Sequence, residues 1–242
     1  MRYLFLAVSF LSIIPFPKRL ISYDERFYKV VGYFPLAGLV IAGLSYLFFA
    51  GLRILLPEEL AFLLSIFFYH ILNGGLHLDG FVDFSDAIFG AKKDSSRFKE
   101  ILKDSRIGTM GAFALILYFS VIFMAADYLK PDFSMFLFLG MAGRLTIVNC
   151  IHRSGSLFDE GLGKYFIEKA TMNEFLLGNI SFFLISAILG INYLVPAFLV
   201  WIFSFIYRNF VLINYGGFSG DLFGAGCIIT ELMVIIYYVK VI

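Results

Sequence analysis

Charge is scarce in this chain. Lys, Arg, Asp and Glu supply 15 % of its 242 residues, where an average soluble domain carries about 25 %. The scarcity excludes a soluble fold, because 60 % of the residues are apolar and one core of this size cannot hide that much apolar surface. Net charge is scarce too. A formal value of +1 provides no basic field for nucleic acid, and none is expected as a partner. Cysteine is nearly absent: Cys150 and Cys227 stand far apart inside apolar runs. That spacing fits neither a disulfide framework nor a thiolate metal site, so both are expected to be buried structural residues. No Walker A sequence occurs, which argues against an ATP-driven P-loop mechanism. No Ser/His/Asp or Cys/His grouping points to acyl transfer. Fixed-period repeats and low-complexity tracts are also missing.

What the chain has is aromatic and aliphatic bulk, including 31 Phe. A membrane helix needs about 20 mostly apolar residues. Seven stretches qualify: Val30–Leu56, Glu59–Leu76, Ile107–Leu129, Phe133–Ile151, Glu174–Ile191, Tyr193–Ile213 and Leu222–Ile242. The N-terminal "MRYLFLAVSFLSIIPFPKRL" resembles a signal peptide but lacks a small-residue cleavage pattern, so it is expected to be retained. Pro15 and Pro17 cut it short, leaving open whether it spans or dips. The expected fold is an all-α integral membrane protein, a single polytopic helical bundle over residues 1–242 with seven or eight spans.

Pro57-Glu58, Lys130-Pro131-Asp132 and Asn192 read as tight turns. The longer polar links are 18–29, 77–106, 152–173 and 214–221. If every segment spans, these four share one side of the membrane. They hold Lys18, Arg19, Arg26, Lys29, Lys92, Lys93, Arg97, Lys99, Lys103, Arg106, Arg153, Lys164 and Lys169, with Arg208 close by. Arg2, Arg53, Lys130 and Lys240 fall near the other side. An excess of Lys and Arg marks cytoplasmic loops, so the long links are expected to form a cytoplasm-facing site.

The stretch "NGGLHLDGFVDFSDAIFG" places Asp79, Asp83 and Asp86 at spacings of four and three, one face of a helix. Three like charges raise one another's pKa unless a cation sits among them. Mg²⁺ suits them: it takes a few carboxylates, keeps water and completes its shell with substrate phosphate. The plainer reading, acids at a helix start, explains one Asp and three poorly. Gly74, Gly75 and Gly80 permit close backbone approach. His77, two residues before Asp79, reads as an orienting donor or acid/base. His70 reads as a packed, hydrogen-bonded helix residue.

"KDSRIGTMG" offers Lys103 and Arg106 as phosphate binders. Asp104 reads as a further ligand or base, and Ser105 as the cap of a helix starting near Ile107. "NYGGFSGDLFGAG" offers a Gly-rich turn with Gly220 before a helix N-terminus suited to anions, and Asp221 for a metal or a proton. The plainer readings are a basic flank and an interfacial loop. Arg144 lies seven residues before the end of its expected span. A charge at that depth is a functional-site candidate, partnered by an Asp of the first motif or an anionic substrate, unless it snorkels. Together these pieces are a toolkit for phosphoryl transfer.

"GGLHLDGFVDFSDAIFG", "ILKDSRIGTMGAFAL" and "GGFSGDLFGA" resemble signature segments of the cobalamin synthase family, the adenosylcobinamide-GDP ribazoletransferases. "FLSIIPFP" and "GYFPLAGLVIAGL" resemble that family's opening, so the likeness runs in order along the chain. Departures are small: Ala87 where a Gly is usual, Ser219 where Thr is usual, and Phe81 and Phe84 for smaller residues. The resemblance implies a Mg²⁺-dependent transferase in the plasma membrane of a prokaryote. It would join adenosylcobinamide-GDP to α-ribazole, or its 5′-phosphate, and release GMP in the last nucleotide-loop step of vitamin B12 assembly. In that expectation Asp79, Asp83 and Asp86 hold Mg²⁺ on the pyrophosphate. The ribazole 5′-hydroxyl attacks the phosphorus on the cobinamide side, and Lys103 and Arg106 neutralise the leaving GMP. Asp83, Asp104, Asp221 and His77 are the candidate catalytic groups, and Arg144, Gly75 and Gly220 are further candidate substrate contacts. A homo-oligomer is left open. The alternatives are a CDP-alcohol phosphotransferase, whose Asp-Gly-x-x-Ala-Arg element is missing here, a prenyltransferase, which needs a second Asp cluster, and a membrane transporter.

Overall fold

The computed structural model describes residues 2–17, 24–92 and 94–241. Lys18, Arg19 and Lys93 of the long links, and Ile242, lie outside the described residues. The chain folds into α1 (Arg2–Leu11), α2 (Phe34–Leu52), α3 (Glu58–Leu72), α4 (Leu76–Gly90), α5 (Ser95–Ile101), α6 (Thr109–Ala126), α7 (Phe133–Ile151), α8 (Leu162–Lys169), α9 (Met172–Leu189), α10 (Leu194–Tyr215) and α11 (Gly220–Val241). No strand forms among the described residues.

Among the described residues six segments have the length and apolarity of a straight membrane span. They are Phe27–Leu52, in which a 3-10 turn runs into α2, then α6, α7, α9, Ile191–Tyr215 leading through α10, and Gly220–Lys240 of α11. The protein is thus an all-α polytopic membrane bundle. The expected span Glu59–Leu76 is broken and not straight: α3 and α4 have the length and apolarity of a span only together, as a bent pair. Its helix, α3, has 15 residues, about 22 Å at about 1.5 Å per residue, short of the hydrocarbon core. It stops at Asn73-Gly74-Gly75, where the glycines take φ of 62° and 70°, a left-handed turn that Gly adopts without penalty. The chain then leaves at 91° as α4. The α1 helix, with 10 residues, is also too short to cross. Its Arg2 pairs with Asp24 at 3.0 Å, which puts Arg2 at the long-link end of the bundle and not, as expected, at the other.

Helix α7 is the axis. Of its apolar stretch 94 % is buried, against 28 % for α6 and for α9. It packs against α2, α9, α10 and α11. Gly38 and Gly140 bring the backbones of α2 and α7 into direct contact, leaving no room for a Cβ on either. The outer helices show the opposite pattern. Leu176, Ile180, Leu184 and Ile188 form an exposed i, i+4 stripe on α9, the apolar exterior a lipid-facing helix presents.

Local caps set the helix starts. Asp132 accepts from the Met135 N–H at 2.7 Å to begin α7, and Thr171 with Glu174 forms a capping box on α9. Ser105 caps nothing; α6 starts at Thr109. The long links converge at one end. The Leu157 N–H donates to Phe218 O at 2.9 Å and the Phe218 N–H to Gly155 O at 2.8 Å, joining links 152–173 and 214–221. Tyr165 Oη accepts from the Tyr28 N–H at 3.3 Å, bringing in link 18–29. Phe98 stacks on Tyr215 at 4.0 Å, bringing in link 77–106.

Candidate active site

The acids gather where α4 crosses α11. Asp79 lies in the first turn of α4 and is exposed, while Asp83 and Asp86 are half-buried. Gly80 makes the crossing possible: a Cβ built there would stand 2.7 Å from the Cα and from the carbonyl oxygen of Asp221. Any larger residue would push α11 away and carry Asp221 with it. Asp221 accepts from Ser219 Oγ at 3.2 Å. α4 is not one of the six spans, and its acids feel each other's charge. Burial, then Asp79, Asp221 and Asp86, push the Asp83 carboxyl up to about 6.

Asp86 has a different occupation. One carboxylate oxygen accepts the Gly108 N–H at 2.7 Å and the other the Gly111 N–H at 2.8 Å. These are orphan donors at the start of α6, so Asp86 caps that helix from across the fold. Its expected role as a metal ligand competes with these two bonds.

The cations divide. Lys103 and Lys99 line a cleft of about 900 Å³ together with Asp221, Phe158, Asp159 and Gly161, and Lys103 Nζ sits 4.8 Å from the centre of the Phe158 ring. Arg106 does not reach that cleft. It pairs with Asp104 at 2.7 Å and holds the Asp104 carboxyl down at about 2. Asp104 lines an adjoining surface hollow with Asp94, Arg97 and Glu100, the last of which also edges the cleft. The structure therefore brings Asp79, Asp83 and Asp221 together and puts Lys103 in the cleft that Asp221 lines, while Arg106 pairs with Asp104 outside it. Gly75 is the left-handed residue before α4, Gly220 opens α11, and His77 is buried on α4.

Arg144 is fully buried. Its guanidinium donates to Glu231 at 2.6 Å, to Asn73 Oδ1 at 2.5 Å and to the Tyr69 hydroxyl. Tyr69 in turn donates to Glu231 at 2.6 Å. The partners are neither an Asp of the first motif nor open to solvent. The network joins α7 and α11 to the break after α3, whose Asn73 it grips.

A sequence model of the cobalamin-5-phosphate synthase family matches residues 3–239. The chain belongs to that family. Relatives named adenosylcobinamide-GDP ribazoletransferase include that of Thermoanaerobacter sp. (strain X514), 29 % identical with 98 % of this chain and 97 % of the relative covered. That of Caldanaerobacter subterraneus subsp. tengcongensis is 32 % identical, with 97 % and 96 % covered. That of Acetivibrio thermocellus is 33 % identical, with 96 % and 95 % covered. No solved structure matches. Family membership makes the protein an enzyme of cobalamin biosynthesis, a transferase that acts in the final assembly of the nucleotide loop.

Glu231, Tyr69 and Asn73 were missed by sequence reasoning. Glu231 carried a signal: it is a lone acid in the apolar run "GCIITELMVIIYY", and an ionisable group in such a run demands a partner. Asn73 carried none beyond its place before two glycines. As for a metal, no three Asp, Glu, His or Cys side chains converge on one point among the described residues, so a cation caged by protein alone does not fit. An ion that takes one or two carboxylates, keeps water and shares substrate phosphate does fit, because the charges acting on Asp83 are all negative.

Proposed function

We propose that the protein transfers the adenosylcobinamide phosphoryl group of adenosylcobinamide-GDP to α-ribazole or its 5′-phosphate. The observation that carries this reading is the α4–α11 crossing at Gly80, which holds Asp221 against Asp79 and Asp83 beside a lysine-lined cleft. An acceptor oxygen bonds to the phosphorus on the cobinamide side, the bond from that phosphorus to the bridging oxygen breaks, and GMP leaves with that oxygen. The proton of the attacking hydroxyl passes to a carboxylate. Because the acceptor serves with or without a 5′-phosphate, the 5′-hydroxyl expected from sequence is replaced here by a ribose ring hydroxyl, the only kind free in both.

Asp79 and Asp83, one turn apart on α4, would hold Mg²⁺, which supplies charge neutralisation for the diphosphate. Asp221, on the facing helix, accepts the proton. Lys103 and Lys99 in the cleft bind phosphate oxygens. Asp86 holds the start of α6 against α4 and so fixes the acids beside it. The long-link end carries Arg26, Lys29, Lys92, Arg97, Lys99 and Lys103, while Arg53, Lys130 and Lys240 mark the other. That asymmetry supports a site on the cytoplasmic face of a prokaryotic plasma membrane.

The test is direct. Purified protein with Mg²⁺, adenosylcobinamide-GDP and α-ribazole should yield cobalamin and GMP, with CDP-diacylglycerol plus an alcohol as the inactive control pair. Product from the control pair and none from the first would overturn the reading. Asp83→Asn should abolish turnover and leave membrane insertion intact.

A further inference from the structure

Beside the polar cleft lies a second space of about 240 Å³, lined by α1, α2, α4, α7, α8 and α11. Four phenylalanines line it: Phe10, Phe34, Phe166 and Phe223. Phe10, Phe34 and Phe166 meet as a cluster, with ring centres 5.5–6.1 Å apart. Among the described residues the one polar side chain in its wall is His77. His77 is 4 % exposed, and its ring makes no hydrogen bond to any described residue. An imidazole carries one donor and one acceptor, and both are free here for a ligand.

Size limits the occupant. An apolar cavity of about 150 Å³ takes benzene, and whole drug-sized ligands need about 300–1,000 Å³. A space of 240 Å³ therefore suits a flat two-ring group and excludes a corrin macrocycle or a complete nucleotide. Position limits it further. Consecutive residues face the two spaces: Gly161 and Asp221 line the polar cleft, Leu162 and Gly220 the apolar one. A Cβ built on Gly220 meets nothing within 4 Å, so the backbone between them is open.

We infer that this cavity is the base pocket of the acceptor: it takes the planar bicyclic aromatic base of a ribonucleoside among the four Phe rings, with His77 bonded to a ring nitrogen. The attached ribose then passes Gly220 and brings a ring hydroxyl to Asp221. This rests on the function proposed above, which supplies the benzimidazole of α-ribazole as the flat base.

The test uses the full chain in detergent. Leu76 and Leu162 line the cavity and are 50 % and 54 % exposed, so Leu76→Trp and Leu162→Trp narrow it without loading the core. Each should raise the KM for α-ribazole about tenfold or more, the scale of one clash or lost hydrogen bond. The KM for adenosylcobinamide-GDP should stay unchanged. His77→Leu should weaken calorimetric binding of α-ribazole measured without the second substrate. Wild-type turnover with unchanged α-ribazole KM in both Trp variants overturns the base pocket alone. A wild-type protein that converts neither substrate overturns the underlying function. Co-purified lipid in the wild type that is lost from both Trp variants, with α-ribazole binding intact, assigns the cavity to an acyl chain and also overturns the pocket.

Discussion

Arg144 of α7 donates to Glu231 of α11 at 2.6 Å, and both side chains are sealed from the surface. Removing one partner strands a buried charge. Glu231→Leu is expected to cost about 3–5 kcal/mol of stability. Arg144→Met combined with Glu231→Leu should recover much of that loss, because the charge that remained unpaired is gone. Thermal unfolding in detergent of the two single variants and the double checks this; additive losses would show that the pair is not coupled.

Asp83 and Asp86 sit three residues apart and should answer substitution in opposite ways. Asp86→Ala leaves the Gly108 and Gly111 N–H groups without their acceptor, at about 1–3 kcal/mol. Its main effect is therefore a lowered unfolding temperature. Asp83→Asn removes a carboxylate that no described backbone group uses, so stability should hold while turnover disappears. Equal unfolding temperatures for Asp86→Ala and wild type would remove the capping role.

A pH dependence follows from the crowding at Asp83. The folded-state carboxyl lies at about 6, above its ordinary value of 3.8. Between those values the folded chain binds more protons than the unfolded one, so this group makes stability fall as pH rises. The loss is complete above about 6 and absent below 3.8. In EDTA the unfolding temperature of wild type should drop from pH 5 to pH 7 relative to Asp83→Asn, and added Mg²⁺ should flatten the difference. Identical pH profiles for the two proteins would contradict this.

Gly80→Ala tests the helix crossing. The added methyl meets the Asp221 backbone, and overpacking of this kind costs about 1–3 kcal/mol. Displacing Asp221 by about 1 Å is also expected to lower kcat, by about a hundredfold. Gly51→Ala is the control, since a Cβ there meets nothing within 4 Å; it should leave kcat as in wild type.

Much of this was legible because the membrane simplifies the code. Six of the seven strong apolar stretches became straight spans and the seventh half of a bent pair, since length and hydropathy decide crossing. His70 reads from sequence as a hydrogen-bonded helix residue, and it bonds Tyr118 at 2.7 Å. The spacing of Asp79, Asp83 and Asp86 correctly put them on one helical face. What periodicity could not reveal is which acid a distant helix would claim. Asp86 meets Gly108 and Gly111 from another element, and nothing in its own segment distinguishes it from Asp83. The α3–α4 bend was hidden for a similar reason. Apolar residues flank Asn73-Gly74-Gly75 on both sides, so hydropathy reads through the break, and the two left-handed glycines turn the chain.

The one-residue step from Gly220 to Asp221 sets the scale of motion the enzyme requires. In effect it is a partition a single peptide thick, with polar solvent on one side and an oily hollow on the other. Given the base pocket proposed above, reactants on its two sides begin beside the same residue, Asp221. No domain closure is then needed to unite them, and the entropy of bringing two large molecules together is met at binding and not during the chemical step.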